Sequence, residues 1–354
     1  MGFPGFISLV ILLIASVATA QSKLDRAVQF VKEGQYDIAA PMLEQIAKEP
    51  PGNASACYYL GIINMASDYD RSIQYLEKAI ELNYGDAEYH LTLGNAYGIK
   101  AAGGSIFGKI GAAGNCLKQF KLATQLDPKY ADARAALIEY YLQAPGIIGG
   151  SVEKALAEAD TIKMMDPCRG YLEEGRIYEN RKDAAKQLQS YEKALSVDPK
   201  SLVAYRALLW FYSGRKDEKK AKEIFTEGLK AVSEKSELYY SVGLYFSQKG
   251  DFTRAEDMFR SAIKMDSTNA GSYYHLGLCA LLSGKNLEGG LADFQKCLQI
   301  DPAKHSPTWP YVHWRMGMIH EKLGNKSAAK SEYEIAYKMN SHIEVIKKAL
   351  EAMK

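Results

Sequence analysis

Several things are scarce in this sequence. Cysteine occurs five times in 354 residues, at 57, 116, 168, 279 and 297. An odd count at these spacings fits no zinc pattern and no disulfide-stapled miniprotein. Charge of one sign is scarce too: 44 Lys and Arg face 42 Asp and Glu, a formal balance of +2. That balance excludes a nucleic-acid-coating protein and a polyacidic tail. No run of about 18 apolar residues follows the first twenty positions, so no later segment offers a membrane span. Proline occurs only 11 times, which makes each one informative as a break, whereas tyrosine is plentiful at 24.

Residues 1–20 carry no charged side chain. Phe6 to Val17 reads FISLVILLIASV, and Ala18-Thr19-Ala20 follows. A short apolar core ahead of a small-x-small step predicts a cleavable leader ending before Gln21, and a periplasmic or secreted mature chain with no integral span. Only the amino terminus supplies positive charge ahead of the run. The other reading is a retained anchor, for which the run is short.

Repetition dominates the remainder. A Tyr-x-x-Leu-Gly type segment returns at Gly61, Gly94, Gly175, Gly243, Gly277 and Gly317. Ile138 and Leu209 fill the same place in two divergent units, and Gly175, Leu209, Gly243 and Gly277 follow one another at intervals of 34 residues. Asp-Pro pairs at 127–128, 166–167, 198–199 and 301–302 close helices, because proline cannot continue one and disfavours helical geometry just before itself.

This pattern resembles the tetratricopeptide repeat family, whose 34-residue unit is a pair of antiparallel helices. One unit reads Tyr239, Val242, Gly243, Phe246, Ala255, Phe259, Ala262; the last reads His313, Met316, Gly317, His320, Ala329, Tyr333, Ala336. Nine units span residues 21–341, the first surviving as Ala39, Leu43 and Pro51. Repeat positions 4, 7, 8 and 11 share one face of the first helix, A. Positions 20, 24 and 27 share one face of the second, B. Large rings at 4, 11 and 24 fill the space left by small residues at 8 and 20, so the helices interlock. Residues 342–354, with Ile343, Ile346 and Leu350 on one side, form a C-terminal capping helix. The fold class is therefore all-α. The resemblance implies a right-handed superhelical solenoid with helices A lining its concave side. Cys57, Cys116, Cys279 and Cys297 fall at small packing positions, which predicts buried thiols.

Three insertions interrupt the register, at 98–114, 144–151 and 303–310. The first two are Gly-rich and fall in the A–B turns of consecutive units, where they are expected to touch. They resemble a variant found in exported bacterial repeat proteins of unassigned role.

No motif supplies catalysis. Gly103-x4-Gly108-Lys109 begins like a phosphate loop, but Ile110 stands where Ser or Thr would hold magnesium, and a flexible turn is expected instead. His313 and His320 are packing residues on one helix face and not metal ligands. Glu173-Glu174 reads as a solvated turn of helix. No cofactor or metal is implied.

The family's groove positions are 2, 5, 9 and 12. Here they hold Arg169, Arg176 and Arg206, then Trp210, Tyr240, Tyr274, Tyr311 and Trp314. Rigid aromatic area beside arginine suits an extended or helical peptide with an acidic feature. The carboxylate clamp known in this fold is not supported, because Leu91 stands at position 5 ahead of Asn95. The sequence thus describes an exported, non-enzymatic scaffold with a protein or peptide partner and no nucleic acid. Two alternatives stand beside it. One is a structural or assembly component of the cell envelope, acting through its convex face or by self-association. The other is an enzyme hidden in the inserted loops.

Overall fold

A computed structural model describes residues 22–103, 106–300 and 308–353, with backbone only at 106–109. The leader expected at 1–20, residues 104–105 of the first insertion, the Asp-Pro pair at 301–302 and residues 303–307 of the third insertion lie outside them. Every regular element among the described residues is helical. Nine helix pairs follow in order: α1 (22–32) with α2 (Tyr36–Lys48), α3 (Ala54–Asn64) with α4 (Tyr69–Leu82), α5 (Ala87–Gly103) with α6 (Ile106–Leu126), α7 (Ala131–Gln143) with α8 (Val152–Met165), α9 (Pro167–Asn180) with α10 (Ala184–Val197), α11 (Leu202–Gly214) with α12 (Glu218–Ala231), α13 (Lys235–Gln248) with α14 (Phe252–Met265), α15 (Ala270–Ser283) with α16 (Leu287–Leu298), and α17 (Trp309–Lys322) with α18 (Lys326–Met339). A single helix, α19 (Glu344–Glu351), ends the chain's regular structure. This is the all-α solenoid architecture the repeat predicts.

Local chemistry sets the helix ends. The side chains of Asn53, Asp68, Ser151, Asp183, Ser201, Asp217, Asp251 and Asn269 each accept a hydrogen bond from the backbone N–H three residues on. Each such cap is worth about 1 kcal/mol. Asp166 ends α8 and caps α9 at once, and Pro167 enters the first turn of α9, where its missing N–H is no loss.

The interlock of five of the pairs follows from one small residue. A β-carbon placed on Gly175, Gly243, Gly277 or Gly317 would lie closer than 3.0 Å to the ring of Tyr191, Phe259, Phe294 or Tyr333, respectively. On Gly61 it would meet Leu76 in the same way. Helix B thus seats a large side chain directly on the glycine of helix A. Phe259, Phe294 and Tyr333 are completely buried as a result.

The chain divides into two compact units, one ending at Ala96 and resuming at Pro307, the other running from Tyr97 to Ser306. In the first unit the opening pair meets the closing pair, which the repeat pattern alone did not foretell. The backbone N–H of Trp309 donates to the carbonyl of Glu33 at 3.0 Å, and that of Ser341 donates to Asp37 Oδ2 at 2.6 Å. Gly34 makes this approach feasible: its φ is +77° and Thr308 occupies the space of any β-carbon. α19 packs on α18 and buries Ile346 completely.

Residues 98–103 and 106–114 are helical, not the loop that their glycines suggest. They prolong α5 to Gly103 and start α6 at Ile106, so Lys109 and Ile110 of the phosphate-loop-like string are helical. Ala112, Ala113 and Cys116 are buried on α6, and this packing offsets the poor helix propensity of the glycines. Residues 144–151 hold a short 3-10 turn, Gly146–Ile148, whose carbonyl at Ile148 accepts from the Tyr140 hydroxyl at 2.8 Å. Gly149 of the same segment lies against Leu117 of α6.

Candidate binding surfaces

In the second unit the three arginines meet different fates. Arg169 pairs with Asp132, and Arg176 pairs with Glu173 at 2.8 Å and Glu139 at 3.4 Å. Asp132 and Glu139 stand on α7 at the same repeat positions, 2 and 9, that the arginines hold on α9. Cation and carboxylate are therefore matched unit to unit, and neither arginine is an unclaimed charge. Glu173 is buried at 7% exposure, which corrects the solvated turn expected there. It points toward Arg176, while Glu174 receives Lys163 and the Ser190 hydroxyl, each at 3.0 Å.

Arg206 on α11 is different. It is half-buried and has no hydrogen bond or carboxylate partner among the described residues. Trp210, one turn along, is 38% exposed and meets Tyr245 edge-on with 5.9 Å between centroids.

Tyr240 corrects the groove reading. It is 6% exposed, wedged against Phe259 and His275 at centroid distances of 5.9 and 5.6 Å. The cause lies one unit on: Gly271 leaves open the space into which this ring sinks, and a β-carbon there would lie 3.1 Å from it. Burial pushes the Tyr240 hydroxyl up to about 12. Burial also holds His275 neutral, its pKa lowered to about 4. Tyr274 is half-buried and leans on Phe294. In the first unit, Tyr311 is 39% exposed and half-buried Trp314 lies 6.2 Å from it, under the Arg315 guanidinium at 4.0 Å.

His313 Nδ1 contacts Glu332 at 2.7 Å, and no cluster of three metal-binding side chains occurs among the described residues. All five cysteines are free; Cys57, Cys116, Cys279 and Cys297 are buried, and burial raises the thiols of Cys116, Cys279 and Cys297 to about 12. Such thiols are poor nucleophiles.

A cavity of about 310 Å³ lies in the second unit among α11, α12, α13 and α14. Leu209, Trp210, Phe225, Val242, Phe246 and Met258 supply its apolar wall, and Arg206 is part of its lining.

Sequence models of the tetratricopeptide repeat match residues 24–86 and 240–305, and 169–201 and 310–342, more than half of the chain together. The chain belongs to the tetratricopeptide repeat family. Among solved structures it is similar to yeast Tom70, at 12% identity and a TM-score of 0.47, over 95% of this chain and 88% of that one. It is similar to PilW, a type IV pilus biogenesis factor, at 19% identity and 0.43, over 63% and 97%. A tetratricopeptide repeat protein from Parabacteroides merdae ATCC 43184 matches at 18% and 0.39, over 73% and 98%. No curated protein matches the sequence. Among the described residues, no helix is long and apolar enough to cross a membrane.

Tetratricopeptide geometry explains the cavity. In the sixth repeat, position 8 is Leu209 and position 24 is Phe225. Leu209 occupies the seat that glycine leaves for a ring elsewhere, so Phe225 stays half-buried and turns edge-on to Tyr239, 5.5 Å away. The fourth repeat shows the remedy: Ile138 stands at position 8, but its second helix offers Ala159 in place of a ring. The seventh repeat widens the gap. Its position 7 is Val242, where Leu60, Leu93, Leu137 and Leu276 fill the equivalent space. The sequence signal for this site was the pairing of a large residue at 8 with an aromatic at 24, which no other described unit contains.

Proposed function

We propose that the chain is an exported scaffold without chemistry of its own, which captures a protein or peptide partner. Family membership supports binding as the mode of action. The observation that carries the reading is the pairing of exposed Trp210 with Arg206, an arginine without a carboxylate of its own, at groove positions of α11. Arg169 and Arg176 keep a lesser part, since a partner would have to compete with Asp132, Glu139 and Glu173. Tyr274 in the second unit, and Tyr311 with Trp314 in the first, add accessible aromatic area. Such residues are the usual anchors of an interface.

Trp210→Ala combined with Trp314→Ala is expected to lower partner capture at least tenfold while leaving the circular dichroism spectrum unchanged. Undiminished capture contradicts the assignment. Export rests on the apolar run and small-x-small step at residues 6–20. The intact mass of protein recovered outside the cytoplasm is expected to begin at Gln21, and retention of residues 1–20 contradicts it.

A further inference from the structure

We propose that the cavity among α11, α12, α13 and α14 is a binding site for a small single-chain amphiphile with a carboxylate head, the head on Arg206 and the chain between Leu209, Phe225, Val242 and Met258. This goes beyond partner capture and does not depend on it, because the ligand is a small molecule and the site lies wholly within the second unit.

Size comes first. A cavity of about 150 Å³ accepts benzene, and this one is 310 Å³. Scaling by volume gives room for about twelve non-hydrogen atoms, the low end of small-molecule sites. The walls exclude a wholly polar occupant, since most of the lining is aliphatic or aromatic.

Charge decides the head group. The lining carries five charged side chains: Arg206, Glu218, Lys222, Arg254 and Asp257. The last four are exposed to water, and Arg254 already pairs with Asp251 at 2.6 Å and lies over Phe246. Arg206 alone is half-buried, and it lacks a carboxylate among the described residues. A guanidinium partly removed from water without an anion is the place where a planar carboxylate gains most, through two parallel N–H donors. The cavity is also no accident of loose ends. It arises where Leu209 displaces Phe225 and Val242 falls short.

Titration calorimetry of the purified chain with sodium decanoate and with decyltrimethylammonium, both far below micelle formation, tests the site. Decanoate is expected to bind one to one with a dissociation constant on the order of 10⁻⁵ M. The cationic probe is expected to bind at least about tenfold more weakly. Arg206→Gln, on the helix surface, is expected to weaken decanoate about tenfold. Ala221→Leu, which fills the cavity from α12, is expected to weaken it more than tenfold while the thermal midpoint holds or rises. Absence of decanoate binding overturns the proposal, as does equal binding of the two probes. Binding that survives Arg206→Gln but not Ala221→Leu overturns the carboxylate assignment, and binding that survives both overturns the site.

Discussion

The helix pairs α11/α12 and α13/α14 carry nearly the same residues at their packing positions: Tyr205 and Tyr239 at 4, Ala221 and Ala255 at 20, Phe225 and Phe259 at 24. They differ at position 8, where one has Leu209 and the other Gly243. In α14, Ala255, Phe259 and Ala262 are buried; in α12, only Gly228 is. One branched side chain in the ring's seat has turned a closed pair into one that borders a cavity. Repeat proteins are quasi-one-dimensional, so a fault of this kind stays local and need not unfold its neighbours. That locality is what lets a stacked fold hold an open site inside its core.

The largest test of this contrast exchanges the two rings for alanine. Phe259→Ala is expected to cost about 4 kcal/mol in denaturant unfolding, and Phe225→Ala about 1 kcal/mol, because only the first ring is fully buried against a glycine. Equal costs mean that Phe225 is seated as firmly as Phe259.

A second test uses pH. His275 on α15 stacks on Phe259 at 5.3 Å. Its folded pKa of about 4 lies below the unfolded value of 6.5, so protonation favours the unfolded chain and stability falls as pH drops through 6.5 toward 4. Between pH 7 and pH 5 the loss is about 2 kcal/mol. Asp293 acts in the opposite sense, since burial raises its carboxyl to about 6 and protonation there favours the folded state. Thermal or denaturant melts are therefore best made in an Asp293→Asn background, where His275→Phe is expected to remove the acid-side loss. An unchanged pH slope breaks the account of the tight pair's core.

The smallest effect is a gain. Val242→Leu extends the wall toward the cavity and is expected to stabilise the chain by about 0.5–1 kcal/mol. A destabilisation shows that the space is already filled.

Much of this was readable in advance. The nine pairs, their glycine seats and the rings above them follow from the period and the size of residues at 8 and 24. Other features depended on neighbours that a single repeat does not name. Tyr240 stands at a groove position, but Gly271 of the following unit swallows its ring. Arg169 and Arg176 stand there too, yet Asp132 and Glu139 answer them from the preceding unit at the same register. The Gly-rich 98–114 segment reads as a loop by propensity, and burial of Ala112, Ala113 and Cys116 favours helix over 106–114. The cavity was legible only as a conflict between Leu209 and Phe225. Position in a repeat fixes the direction of a side chain; what waits there is set by the next unit.

Amide hydrogen exchange along α12 and α14, in the native chain and in Leu209→Ala, reads out directly whether Leu209 keeps Phe225 from its seat. Native α12 is expected to exchange about a hundredfold faster than α14. In Leu209→Ala, Phe225 takes the vacated seat and α12 becomes better protected. Equal protection of the two helices in the native chain, or a further loss of α12 protection in the variant, contradicts the account.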